Sequence, residues 1–194
     1  MDSKELLQKL NQKLFNSEFK IKRKNLLLKI FVPKGYIITI FNSIYVENST
    51  DISISTLLHE SQHYIDRMVY KDGKFYRNYI KELMFYIKYL SPQILGVFSL
   101  FSLFSIWFTN FFLLFLILIF FFFPNPKLSF FRRDYELKGY YWNWYFNESY
   151  NYSKIFNSWE YYKMDSYHSQ EYYHEIFSNM KSSKLKEFYE RDIK

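Results

Sequence analysis

The chain contains no cysteine among its 194 residues. This absence excludes a disulfide framework and a thiolate metal site, so any metal site has to use imidazole nitrogen and carboxylate oxygen. Histidine is scarce as well, with four residues in the chain. The N-terminal region lacks the apolar core and the cleavage site of a signal peptide, so we expect no secretion by that route.

The charge balance is basic, with 26 Lys and Arg against 19 Asp and Glu and a formal net charge of +7. Such a charge attracts anionic lipid or nucleic acid without identifying either one. No nucleic-acid-binding motif accompanies the charge, so nucleic acid is not an expected partner. The 23 Phe and 20 Tyr fit the composition of an AT-rich genome, and we do not interpret them as a stacking platform for bases.

One decapeptide, Leu57–Asp66, contains the motif His-Glu-x-x-His. Residues four apart share a face of a helix, so His59 and His63 can direct two imidazoles at one metal ion. Zinc is the expected metal, and Glu60 is placed to take a proton from a zinc-bound water. Asp66 lies one turn further along and is a candidate support for the ligands.

The alternative for this decapeptide is a solvated helix face that carries two histidines by chance. Apolar residues flank the motif on both sides, which gives the helix a side to bury and argues against that alternative. Ser53 or Ser55 can cap the start of this helix.

The surrounding pattern indicates an α+β fold. Leucine spacing predicts an amphipathic helix within Met1–Asn16, and β-branched and aromatic residues predict two strands at 36–41 and 44–46. A turn at 71–74 precedes a second predicted helix, Phe75–Leu90. We therefore expect a zincin-like domain with a small antiparallel sheet, a mostly helical body and an apolar helical hairpin inserted into it.

The apolar insertion is Ile94–Phe123, thirty residues without a charged side chain. Its length fits a membrane segment better than a buried soluble helix. Basic residues flank it on both sides, which favours the cytoplasmic side for both flanks. A hairpin that turns near Thr109-Asn110 has arms of about fourteen residues, short of the roughly twenty needed to span. We therefore expect a re-entrant or interfacial hairpin in membrane lipid rather than a two-pass hairpin, with the protein associated with the cytoplasmic face; a single span is the least favoured topology.

Three parts of the chain follow from this interpretation. Residues 1–92 hold the sheet and the zinc helix, 93–124 form the membrane-associated hairpin, and 125–194 form a helical half with the third ligand and a C-terminal tail. In that last part, His168 and His174 are expected at the surface because their spacing puts them on different helix faces. The charged segment 181–194 is expected to be a solvated helix or tail.

Two glutamates are candidates for the third zinc ligand. Glu82 follows His63 at a spacing that resembles gluzincin aminopeptidases, but its neighbours lack the Asn-Glu-Gly-Phe context of those enzymes. Glu136 lies in a strongly helical stretch led by two arginines, where it could instead pair with Arg132 or Tyr140 at i,i+4 spacing on a solvated helix. The residues alone leave this choice open.

The order of the motifs resembles a group of small phage and bacterial zinc metallopeptidases. In that group a strand pair precedes His-Glu-x-x-His-x-x-Asp, an aromatic helix, Tyr-x-x-Pro-Gln, an apolar stretch and a helix of the form Tyr-Glu-Leu-(Arg/Lys)-Gly-Tyr. The counterparts in this chain are Ile38–Val46, His59–Asp66, Tyr89–Gln93 and Tyr135–Tyr140. The resemblance implies that Glu136 is the third ligand and that Glu82 is a helix-surface residue.

The expected function is hydrolysis of peptide bonds in a peptide or protein substrate, with zinc as the cofactor and Glu60 as the general base. Tyr135 or Tyr140 is a candidate donor to the oxyanion, because both lie near Glu136. An alternative from another class is a non-catalytic, membrane-associated phage or mobile-element protein whose zinc site is structural. A third is a membrane-disrupting protein that acts through Ile94–Phe123.

Overall fold

The structure is a computed structural model that describes residues 1–32, 34–47, 52–89, 130–147, 149–158 and 168–194. The described helices are α1 Ser3–Lys13, α2 Leu26–Phe31, α3 Ile54–Ile65, α4 Tyr79–Tyr89, α5 Phe130–Tyr145, α6 Tyr152–Phe156, α7 Gln170–Ser178 and α8 Lys184–Asp192. The described strands are β1 Lys20–Arg23, β2 Ile38–Ile40, β3 Ser43–Val46, β4 Met68–Lys71 and β5 Lys74–Arg77. The expected α+β class is confirmed.

The predicted apolar hairpin at 94–123 lies outside the described residues. Within the ranges that are described, no helix is both long enough and apolar enough to cross a membrane. The chain divides into two compact units, one made of Met1–Glu82, Lys138–Ser149 and Asn179–Lys194 and the other of Leu83–Leu137 and Tyr150–Ser178. Helices α4 and α5 each contribute residues to both units.

The first unit contains a three-stranded sheet with the order β1-β3-β2. The two predicted strands pair antiparallel as β2 and β3, with Thr39 opposite Ile44. The expectation of a wholly antiparallel sheet is wrong, because β1 pairs with β3 in parallel, with Lys20 opposite Ser43. A parallel neighbour needs a crossover connection, and the chain supplies one through α2 and β2 before it returns as β3.

Helix α3, which carries the metal motif, is fixed at its start and along its buried side. The Ser53 hydroxyl caps it by accepting a hydrogen bond from the Thr56 backbone N–H at 3.1 Å. Leu57 and Leu58 are fully buried. On the next turns, the Tyr64 ring stacks on Phe19 at 4.3 Å between centroids. The cap and this packing hold the helix as a rigid support for its polar side chains.

The segment after α3 begins as a hairpin rather than as a helix. Strands β4 and β5 pair antiparallel around Asp72-Gly73, both of which have positive φ, 49° and 81°. The predicted turn is confirmed, but the predicted helix from Phe75 begins only at Tyr79. Asn78 sets that start, because its side chain accepts the Lys81 N–H at 2.9 Å as a cap. Strand β5 has only four residues, which is too short for hydrophobic periodicity to distinguish a strand from the end of a helix.

The C-terminal segment 181–194 was expected to be solvated, and that expectation is wrong for one side of helix α8. Leu185, Phe188 and Tyr189 are buried. Tyr189 meets the fully buried Trp142 of α5 edge to face at 5.8 Å. Only three apolar residues in a charged stretch are needed to bury one face of a short helix, which is why the composition was misleading.

The second unit is built from aromatic contacts. Tyr152 and Phe156 of α6 and Tyr173 and Phe177 of α7 are all fully buried. Phe156 stacks on Tyr173 at 5.0 Å. In the same unit, the end of α4 packs on the start of α5, and the rings of Phe85 and Tyr135 lie 4.6 Å apart.

Candidate metal centre

Three metal-ligand side chains meet in the structure: His59 and His63 from α3 and Glu136 from α5. Their ligand atoms all lie within 4.8 Å of one another, and all three residues are buried. Over the described residues, no other group of three or more His, Cys, Asp or Glu meets this standard. The group could therefore hold a metal ion.

The two histidines already converge at the spacing that a metal requires. Their Nε2 atoms are 3.2 Å apart, and the ring planes cross at 76°. Two nitrogens bound to a tetrahedral zinc at 2.0–2.1 Å would be about 3.3–3.4 Å apart. The residues present thus fit the ion without a rearrangement of the helix that carries them.

The orientation of His59 is fixed from its far side by Asn143. The Nδ1 atom of His59 lies 3.1 Å from the side-chain oxygen of Asn143. An oxygen can only accept here, so Nδ1 carries the hydrogen and Nε2 keeps the lone pair that a metal needs. Sequence reasoning missed Asn143, although it follows Glu136 by two helical turns and so lies on the same face of α5.

Gly139 lets α5 approach the ligand. A Cβ atom added at this position would lie 2.5 Å from His59 Nε2 and 2.7 and 2.8 Å from Cδ2 and Cε1 of the same ring. These distances are far shorter than van der Waals contact, so any side chain at position 139 would displace the imidazole. Tyr140, the next residue, touches the same ring edge to face at 4.8 Å.

The Glu136 carboxylate is held by partners within its own unit. The Tyr89 hydroxyl donates a hydrogen bond to Oε1 of Glu136, and Nε of Arg132 lies 3.8 Å from the same oxygen. The Arg132 guanidinium in turn covers the Tyr89 ring at 4.8 Å. A carboxylate oriented by such neighbours is prearranged for binding a metal.

Glu82, the competing candidate, has a different role in the structure. Its Oε2 accepts a hydrogen bond from Arg77 Nε at 2.7 Å, and this bond raises the pKa of Arg77 above its ordinary value. Glu82 is 6% exposed, so the expectation that it lies on a helix surface is wrong. The ion pair with Arg77 explains why a buried carboxylate is tolerated there.

Glu60, the expected general base, is buried beside the first histidine. Its Oε2 accepts a hydrogen bond from the Thr39 hydroxyl of β2 at 2.5 Å. Sequence reasoning missed this contact, because twenty-one residues separate Thr39 from Glu60 and no local pattern connects them. The strand thus fixes the position of the Glu60 carboxylate.

Asp66, the expected support of the ligands, lies at the end of α3. Its Oδ1 accepts a hydrogen bond from Gln62 at 3.1 Å and lies 3.8 Å from the Lys138 ammonium. Burial raises the pKa of Asp66, and the positive charge of Lys138 opposes that rise. The partners that the structure shows for Asp66 are thus Gln62 and Lys138, and its support of the ligands stays a prediction.

The other residues considered from the sequence are two tyrosines and two histidines, and of these Tyr140 contacts a ligand side chain in the described structure. Tyr135 packs on Phe85, whereas Tyr140 touches a ligand ring. His168 stacks on Tyr172 at 3.8 Å and does not belong to the ligand group, and neither does His174.

Two imidazole nitrogens and one carboxylate oxygen are donors that zinc and other first-row transition ions accept. In catalytic zinc sites the same number of protein ligands leaves a fourth position for water or substrate.

Comparisons of this chain with models of protein families, with curated proteins and with solved structures give no match.

The two glutamates give a direct test of the ligand set. We expect the wild-type chain to hold about one zinc and Glu136→Gln to lose it, because an amide is a poor substitute for an anionic ligand. Glu82→Gln is the matched control, since it makes the same change at another buried, arginine-paired carboxylate. Elemental analysis after dialysis measures the ratio. Zinc retained by Glu136→Gln and lost by Glu82→Gln would reverse the assignment.

Gly139→Ala gives a second test, because this change ordinarily stabilises a helix but is expected here to weaken zinc binding. Alanine in place of glycine inside a helix normally stabilises by about 1 kcal/mol. Here we expect zinc affinity to fall by about tenfold or more, the size of change seen when a ligand loses its orientation. Competition with a chromogenic chelator measures the affinity, and Asp134→Ala on the same helix is the control. Unchanged affinity in Gly139→Ala would show that the close approach does not matter to the metal.

Proposed function

We propose that the protein is a zinc-dependent metallopeptidase of the zincin type that works in association with a membrane. The observation that carries the proposal is the buried group of His59, His63 and Glu136, with the buried Glu60 following His59 in the sequence and held by the Thr39 hydroxyl. A structural metal site needs ligands alone, whereas hydrolysis also needs a base close to them. This chain has the ligand group and, directly after His59 in the sequence, a buried carboxylate that would serve as the base.

The mechanism assigns a separate task to each side chain. A bound zinc would act as a Lewis acid on the scissile carbonyl and on water. His59, His63 and Glu136 would hold it, with Asn143 keeping the nitrogen of His59 in the binding tautomer. Glu60 would take a proton from water and pass it to the departing amine.

Two further groups fit the same reaction. The Thr39 hydroxyl would keep the Glu60 carboxylate in place while it changes protonation state. Of the two tyrosines considered as oxyanion donors, Tyr140 is favoured, because it contacts the His59 ring whereas Tyr135 packs elsewhere.

The order of elements supports a zincin-like arrangement and a peptide as substrate. Strands β2 and β3 precede the metal helix α3, and the third ligand follows on the later helix α5. In the described sheet, β2 is an edge strand, and Thr39 of this strand contacts Glu60. An extended peptide paired with that edge would lie beside the base.

The contacts at the two ends of the undescribed stretch support a hairpin for Ile94–Phe123. The Tyr89 hydroxyl binds Glu136, and the Phe85 ring meets Tyr135 at 4.6 Å. A single span would carry the two flanks to opposite faces of a membrane, whereas a hairpin returns them to one face. We therefore propose that membrane lipid contacts this segment and that the zinc group stays on the cytoplasmic face.

Glu60→Gln tests the proposed chemistry. The amide cannot accept the proton, so we expect the fold and the zinc to be retained and hydrolysis to fall by about 10²–10⁴-fold. Cleavage of a peptide library, read by mass spectrometry, is the assay, and Glu82→Gln is the control for loss of a buried carboxylate. Equal activity in Glu60→Gln and the wild type would remove Glu60 from the mechanism. Zinc binding without cleavage by any variant would favour the structural-zinc alternative.

The hairpin predicts that Lys88 and Asp134 lie on the same side of a membrane. Because the natural chain has no cysteine, single cysteines at these two positions can be labelled without background. We expect an impermeant maleimide to reach both or neither in intact vesicles. Labelling from opposite faces would contradict the hairpin.

A further inference from the structure

Away from the metal centre, the first unit has a surface that is both apolar and basic. On the short helix α2, Leu26, Leu27 and Ile30 are 79%, 64% and 70% exposed. Isolated exposed aliphatic residues are ordinary in soluble proteins, but three on one helix form a patch. Exposure of such a patch to water is unfavourable, and patches of this kind mark interaction surfaces.

The charged residues of the segment that contains α2 have one sign. Residues 20–35 contain six Lys and Arg and no Asp or Glu. Lys22, Arg23, Lys29 and Lys34 are exposed. Lys24 is buried and pairs with the Glu47 carboxylate at 3.0 Å, while Lys29 and Lys34 add to the lowering of the pKa of Glu47. The cations therefore gather where the apolar helix begins and ends.

We infer that α2 and these cations, the α2 surface, dock on the anionic surface of a lipid bilayer. The exposed leucine and isoleucine side chains would be buried among acyl chains, and the cations would be attracted to anionic head groups. Nucleic acid would use the cations but has no place for the aliphatic patch, since unpaired bases stack on aromatic or arginine side chains. This inference requires neither hydrolysis nor a metal, and it is independent of 94–123.

The α2 surface is built before it meets lipid. The Asn25 side chain caps the helix by accepting the Leu28 N–H at 2.9 Å. The Lys24 N–H donates to the Val46 carbonyl at 2.8 Å, which ties the start of the helix to the end of β3. Strand β3 in turn pairs with β2, the strand that holds Glu60 through Thr39. Docking by α2 would therefore set the orientation of the zinc helix relative to the membrane.

The test follows the position of α2 in the full chain, so that binding through other segments does not decide it. Leu27→Cys is labelled with a polarity-sensitive fluorophore and mixed with vesicles of phosphatidylcholine alone or with phosphatidylglycerol, both containing nitroxide lipids. Vesicle-bound protein is collected by flotation. We expect a blue shift and nitroxide quenching at position 27 only on phosphatidylglycerol vesicles. Val69→Cys, 40% exposed on β4, carries the control label and should show neither change.

A second arm tests the charge. A lysine near an anionic surface improves binding by about fivefold, so Lys22→Ala, Lys29→Ala and Lys34→Ala together should weaken docking by about a hundredfold. Lys71→Ala, Lys154→Ala and Lys181→Ala remove the same charge elsewhere and should leave docking unchanged. A label at position 27 that stays in water on bound protein would overturn the inference. So would equal quenching on phosphatidylcholine, an equal loss in both triple variants, or a shift produced by DNA without lipid.

Discussion

The contact between His59 and Gly139 is the constraint on which the rest of the centre depends. With no side chain at 139, the backbone of α5 passes directly over the imidazole. The register of α5 then follows, because residues three and four positions away on the same face must point toward the same region. Glu136 and Asn143 occupy those positions, one before the contact and one after it. The close approach at Gly139 therefore places both the candidate ligand Glu136 and Asn143, which orients His59.

Each chemical group of the centre is supported by a different element. Asn143 of α5 orients His59, Tyr89 of α4 orients the Glu136 carboxylate, and Thr39 of β2 holds Glu60. Supports of this kind fix side-chain rotamers and tautomers, which lowers the reorganisation needed when a metal binds. Glu82 is instead hydrogen-bonded to Arg77, so Glu82 and Glu136, the two candidates for the third ligand, have different partners in the structure.

The site residues that local spacing predicts are two candidate ligands and the proposed base. His59 and His63 follow from the four-residue repeat of a helix, and Glu60 follows from its place between them. Glu136 lies seventy-three residues after His63, a distance that no periodicity bridges, and it was selected only through a resemblance of motif order. Asn143 and Thr39 were missed because a hydrogen bond between distant segments leaves no local pattern. The late start of α4 and the buried side of α8 were missed for the same reason, since tertiary packing decided them.

X-ray absorption at the zinc edge of the zinc-loaded protein tests the central claim most directly, because it reports the donor atoms themselves. The account predicts two imidazole nitrogens at about 2.0–2.1 Å and oxygen neighbours at about 2.0–2.2 Å, in a site of four or five ligands. Multiple scattering from the two rings should disappear in the His59→Ala, His63→Ala double variant. A shell of six oxygens without imidazole scattering in the wild-type protein would contradict the account.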